Sequence, residues 1–201
     1  MKTFKNLLII GAILMVTVLP ISSYAQLQAP AASPSASVSQ NVGFTKISID
    51  YSSPALKGRK VFGELEKYGV SWRAGANAPT IIEFSTAVSI GGKNLRPGKY
   101  SIFITPQATG DWTVHFNSKA SSVFAYMKDG KIDEEAVAKD DAASVNVAPR
   151  MAADSHERLT YAISAEDNKT AKITMAWDKV RLSFMVDTQV DQKMEGFKAA
   201  F

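Results

Sequence analysis

KITMAWDKVRLSFMV, residues Lys172 to Val186, places an apolar side chain at every second position. Ile173, Met175 and Trp177 share one side of an extended chain, and Val180, Leu182, Phe184 and Val186 share a side again after Asp178 and Lys179. Successive side chains of a strand point to opposite faces, so this alternation predicts half-buried antiparallel strands at Lys172–Asp178 and Val180–Val186.

The same period recurs along the chain. KISIDYS (Lys46–Ser52) sets Ile47, Ile49 and Tyr51 against Lys46, Ser48 and Asp50, and DWTVHFN (Asp111–Asn117) sets Trp112, Val114 and Phe116 against Asp111, Thr113 and His115. RLTYAIS (Arg158–Ser164) repeats it with Leu159, Tyr161 and Ile163, and further strands are expected at Thr80–Ser85, Tyr100–Thr105 and Val145–Ala148. Pro97-Gly98 suits the centre of a type II turn, and Thr109-Gly110 and Asp129-Gly130 are further turn pairs. Parallel pairing would require crossovers of a dozen or more residues, and only DEEAVAKDD (Asp133–Asp141) reads as helical. The expected fold is an all-β antiparallel β-sandwich of about eight to ten strands, with a closed β-barrel as the alternative.

The start of the chain has a different character. Lys2 and Lys5 precede an apolar core from Leu7 to Ile21, and Ser23-Tyr24-Ala25 puts small residues at the −3 and −1 positions of a cleavage site. Residues 1–25 therefore read as a secretory signal peptide, the core being shorter than the roughly 20 apolar residues of a membrane span. The stretch Gln26–Gln40 is rich in Ala, Ser, Pro and Gln; residues 26–36 read as a flexible leader, and the second half of the stretch is already inclined to strand. Residues 37–187 then form a single all-β domain, and 188–201 a C-terminal tail or short helix.

Removing twenty-five of 201 residues leaves 176, enough for one core, and the loss of two lysines takes the formal charge from +4 to +2. That balance argues against a nucleic-acid binder, which needs a concentrated basic stripe. The chain has no cysteine, which excludes disulfides, thiolate zinc sites and lipid attachment through a thiol. The expected location is periplasmic or secreted, with no membrane span after signal cleavage and no cofactor.

The densest chemistry lies in YGVSWRAGANAPTI, Tyr68 to Ile81. Arg73, with Arg59 nearby in sequence, offers a guanidinium fork suited to a carboxylate or phosphate; its competing role is to pair with an acid such as Asp50 or Glu64 and lock a loop to the sheet. Trp72 is either a stacking platform for a ligand or a plug in the core. Asn77 either reads a ligand through its amide or holds an irregular loop in a left-handed turn. Arg59, Trp72, Arg73 and Asn77 are the predicted ligand-binding residues, for a small anionic or carbohydrate ligand. Catalytic residues are not assigned: GVSWR misses the G-x-S-x-G elbow at Arg73, and HERLT supplies only the first half of H-E-x-x-H. His115, on the polar face of its strand, is expected to be exposed, a mixed site of His115, His156 and a carboxylate being the alternative.

Several segments together resemble a known family. The order SPSASVSQNVGFTKISIDYSSPALKGRKVFG, WRAGANAPTIIEFS, LRPGKYSIFITP, DWTVHFN and AWD is similar to the bacterial exported family called domain of unknown function 2911, from about Ser33 to Val186. Its most specific parts are Tyr51-Ser52-Ser53-Pro54, Gly58-Arg59, Trp72-Arg73-x-Gly75-Ala76-Asn77 and Gly98-x-Tyr100-Ser101, while Ala78-Pro79 stands where members tend to carry an acidic residue. The resemblance implies a periplasmic or secreted β-domain of Bacteroidetes-type bacteria, with no established activity. Three readings follow: a binding module, a structural or interaction domain of the cell envelope, and a hydrolase.

Overall fold

The computed structural model describes residues 29–200; the expected signal peptide and leader residues 26–28 lie outside the described residues. Along the chain come β1 (Ser35–Val42), β2 (Thr45–Ser52), β3 (Ile81–Phe84), β4 (Val88–Ile90), β5 (Lys93–Leu95), β6 (Gly98–Thr105) and β7 (Trp112–Asn117). After a 3-10 turn at Val123–Tyr126 follow β8 (Met127–Lys128), β9 (Lys131–Ile132), helix α1 (Glu134–Lys139), β10 (Asp141–Val147), β11 (Arg150–Ala165), β12 (Thr170–Asp187) and helix α2 (Val190–Lys198). Ten of these strands form two sheets, ordered β1-β2-β3-β6-β7-β10 and β11-β12-β4-β5, and β8 with β9 makes a separate hairpin. Every pairing between them is antiparallel.

The sandwich is held by the inner faces of the two sheets. Ile47, Ile49, Ile82, Ile102, Val114 and Phe116 from the first meet Leu159, Ile173, Trp177, Leu182 and Phe184 from the second. Phe116 meets Phe184 edge to face at 5.3 Å between ring centroids, and Tyr51 meets Tyr161 at 4.9 Å. Each such fully buried side chain contributes about 1.5–3 kcal/mol of transfer free energy. β1 lies beside β11 and β10 beside β5, yet no ladder joins the two sheets among the described residues. The fold is the sandwich and not the closed barrel.

Residues 172–186 run within one strand instead of two. The buried side of β12 passes from odd to even residues where Asp178 adopts φ +50°, and one left-handed residue returns both apolar sets to the same core. Pro97-Gly98 is likewise not a hairpin turn: it carries the chain from β5 in one sheet to β6 in the other. The tight hairpin is made just before it by Gly91-Gly92, whose φ values of +56° and +78° suit a two-residue turn between β4 and β5. β1 begins at Ser35, inside the stretch read as leader. The C-terminal segment is helical, and Lys193 of α2 donates to the carbonyls of Ala87 (2.8 Å) and Thr188 (2.6 Å), tying the helix to the β3–β4 connection.

The first sheet is buried on both sides over part of its area. Phe103, Val123 and Val137 form a second, small core on its outer face, where the 3-10 turn and α1 cover β6 and β7. Asp133 begins α1 by accepting the Ala136 N–H at 3.0 Å.

Trp177, 1% exposed, stacks on Trp72 at 5.6 Å and meets Phe62 edge to face at 6.1 Å. Trp177→Ala should therefore cost about 3–5 kcal/mol of stability. Guanidinium chloride unfolding checks this through a lower midpoint at unchanged slope.

Candidate functional site

The long connection between β2 and β3 re-enters the sheet at one residue. Trp72 exchanges both backbone hydrogen bonds with Ile104, each 2.9 Å, and so occupies the place along β6 beyond the start of β3. Alternation about that bridge sends the Trp72 indole into the main core, and Ser71 and Arg73 to the outer face with Phe103 and Thr105. The indole is 5% exposed and its Nε1–H donates to the Gly75 carbonyl at 3.0 Å. Gly75 serves this packing, since a Cβ there would stand 2.5 Å from Thr80 Oγ1.

A cleft of about 520 Å³ opens on that outer face. Its walls come from the β2–β3 connection, the 3-10 turn, the β8–β9 hairpin and the start of α1, and they carry Leu65, Val70, Phe124, Met127 and Ile132 as apolar surface. Leu65, Val70, Phe124 and Met127 are all exposed, a concentration of large apolar side chains at one place. Among them the Arg73 guanidinium lies over the Phe124 ring, 4.9 Å from its centroid. The buried Arg73 Nε has no hydrogen-bond partner, and Arg73 forms no ion pair with a carboxylate among the described residues. Glu66 lines the same cleft; burial pushes its carboxyl up to about 7, against the opposing pull of Arg73 and Arg59.

Beneath the cleft runs a line of polar groups. Glu134 accepts the Ser71 N–H at 2.8 Å and the Ser71 hydroxyl at 2.5 Å. Ser71 Oγ is 2.7 Å from Thr105 Oγ1, which is 2.9 Å from His115 Nε2, and His115 Nδ1 is 2.6 Å from Asp141 Oδ2. Ser71, Thr105 and His115 are buried, and the second oxygen of Asp141 is buried without a partner among the described residues.

The four predicted residues do not share one cleft. Trp72 and Arg73 line it; Arg59 and Asn77 do not. Arg59 donates to the carbonyls of Leu56 (3.0 Å) and Ala55 (2.7 Å), closing its own turn, and reaches the cleft only through its charge on Glu66. Asn77, at φ +55°, donates to the Ser33 carbonyl at 3.1 Å and holds the loop to the segment before β1. Neither arginine pairs with Asp50 or Glu64; Glu64 instead faces Lys60.

His115 is 7% exposed, contrary to expectation, because the 3-10 turn and α1 cover the face that alternation alone marks as polar. His156 lies on β11 in the other sheet, near Asp154 and Thr160, so the two histidines do not meet. Among the described residues no three His, Asp or Glu side chains are grouped to hold a metal ion. Glu66, Ser71, Thr105, Glu134 and Asp141 were not singled out from the sequence. Only Ser71, inside the near-miss GVSWR, carried any local signal.

A family model described as "Protein of unknown function (DUF2911)" matches residues 33–186. No curated protein and no solved structure matches the chain.

The Glu66 carboxyl generates a pH prediction. Its proton is held to about 7 in the folded protein against 4.5 ordinarily, so the native state binds the extra proton between those values and stability falls as pH rises through them. Above that window the ionised group costs on the order of 1–3 kcal/mol, which Glu66→Gln removes. Denaturation midpoints at about pH 5 and about pH 8 should fall between the two in the wild type and stay level in Glu66→Gln; parallel falls would contradict the assignment.

Proposed function

The chain belongs to this family of unknown function, and we propose that the cleft on the outer face of its larger sheet binds a small amphiphilic anion, an apolar body with a carboxylate or phosphate head. The observation that carries this reading is Arg73. Its guanidinium stands among the apolar side chains of the cleft, stacked on Phe124, and among the described residues it has no carboxylate in ion-pair contact and a buried Nε–H without a partner. A buried donor left unpaired costs about 1–3 kcal/mol, and a planar fork of donors suits a carboxylate or phosphate. Lys67 and Lys131 add positive charge to the walls, and Glu134 is already engaged by Ser71.

A carbohydrate occupant has less support. Sugars favour broad aromatic platforms, yet Trp72, Trp112 and Trp177 are 5%, 3% and 1% exposed in the core. Export to the periplasm or outside the cell remains part of the proposal on the strength of residues 1–25.

Calorimetric titration with octanoate and octyl phosphate, set against octanol and inorganic phosphate, tests the reading. Both amphiphilic anions should bind the wild type more tightly than either half alone. Arg73→Ala should weaken them about 10–100-fold, the loss of a charged hydrogen-bond pair, and Arg73→Lys should lie between. The melting temperature of Arg73→Ala should stay within about 2 °C of wild type, because no side-chain hydrogen bond or ion pair among the described residues holds Arg73 to the fold. Absence of binding by either anion, or a fall of several degrees in Arg73→Ala with unaltered binding, would favour a purely structural loop.

A further inference from the structure

The polar line under the cleft is continuous from Glu134 through Ser71, Thr105 and His115 to Asp141, with contacts of 2.5, 2.7, 2.9 and 2.6 Å. Each hydroxyl in it has one proton to donate, so fixing one bond fixes the direction of the next. With the proton on Ser71 directed to Glu134, Ser71 accepts from Thr105, Thr105 accepts from His115 Nε2–H, and His115 donates both ring protons, Nδ1–H going to ionised Asp141. His115 is then an imidazolium. In the opposite direction Glu134 carries the proton and donates to Ser71, Ser71 donates to Thr105, Thr105 donates to bare Nε2, and Nδ1–H still goes to Asp141. Both arrangements hold the same number of protons and the same net charge. They differ by one shift along the line: Nε2–H to Thr105, the Thr105 proton to Ser71, and the Ser71 proton to Glu134.

We propose that Glu134, Ser71, Thr105, His115 and Asp141 form a proton relay that opens into the cleft at Glu134, making Glu134 the acid–base group of this site. Glu134 and Ser71 line the cleft, while His115 and Asp141 are enclosed, their side chains 9% and 6% exposed. A proton stored on the histidine thus reaches the cleft along Thr105 and Ser71 to Glu134, and the same path returns it. Other groups face the relay. Tyr126 from the 3-10 turn donates to Asp140 at 2.9 Å, Asp140 at the end of α1 is 3.6 Å from Lys119 beyond β7, and Asp133 caps α1. None of these hydrogen-bonds to a relay member among the described residues. The relay is read on the protein alone and does not depend on the identity of the anion proposed above.

The chain has two histidines, so 15N-histidine labelling reports on His115 with His156 as an internal control. In a pH titration the His115 Nδ1 resonance should keep the position of a protonated nitrogen, while Nε2 should move in two steps, because Glu134 and His115 share a proton as a coupled pair. Glu134→Gln and Thr105→Val should each reduce the Nε2 curve to one step and leave His156 unchanged, and Thr105→Ser should restore two. A network that merely braces α1 would lose stability in these variants without losing a titration step. An unchanged two-step curve in Glu134→Gln, or a one-step curve in the wild type, overturns the relay. Should Thr105→Val fail to fold, Glu134→Gln and Ser71→Ala make the same cut from the partly exposed end of the line.

Discussion

The backbone bridge between Trp72 and Ile104 is the constraint on which the site depends. Two hydrogen bonds hold one residue of a long irregular connection in strand geometry, and strand geometry divides its neighbours between two environments. Trp72 goes inward, stacks on Trp177 and joins the core that holds the sheets together. Ser71 and Arg73 go outward, Ser71 onto the line of hydroxyls and Arg73 over Phe124. The indole therefore anchors the loop, and the anchored loop aims the polar groups. A shift of one residue in this register would reverse all three side chains.

The second covering layer turns an ordinary polar sheet face into a place with its own chemistry. Thr105 and His115 would be solvated on an open sheet. Beneath the 3-10 turn and α1 they are buried and must find protein partners, which they find in each other, in Ser71 and in Asp141. At the cleft above them burial raises the proton affinity of Glu66, and an Arg73 donor has no partner among the described residues. Two of the three buried side-chain polar atoms without a partner among the described residues, Arg73 Nε and Asp141 Oδ1, lie at this cleft and its floor, and the third, Trp177 Nε1, lies in the main core; functional sites are where such local costs are tolerated.

Much of the fold was legible because the period-two pattern is a direct image of a sheet with one buried face. Ile47, Ile49, Val114, Phe116, Leu159, Ile173 and Leu182 all entered the core on the side that alternation assigned. The pattern was less informative where the chain bends or where both faces are covered. The change of parity between Trp177 and Val180 resembles a break between strands, but a single left-handed Asp178 carries one strand through it. Gly91-Gly92, not Pro97-Gly98, makes the tight hairpin, since the proline pair lies on a passage between sheets.

The candidate site was legible only in part. Residue type and neighbourhood pointed to Trp72, Arg73, Arg59 and Asn77, and chain alternation placed the first two on opposite faces of one bridge, while the others serve turns of their own. Arg59 carries the same guanidinium as Arg73, and no local rule separates a guanidinium that caps a turn from one that faces a cleft. The partners of Ser71 lie 34 and 63 residues away in sequence, and those of His115 lie 10 and 26 away. Period, composition and turn residues act over a few positions, so strands, the antiparallel sandwich and the family could be read from the order of residues. Burial of the second sheet face, and the meeting of five polar side chains beneath it, follow from contacts between distant segments, which no local pattern records.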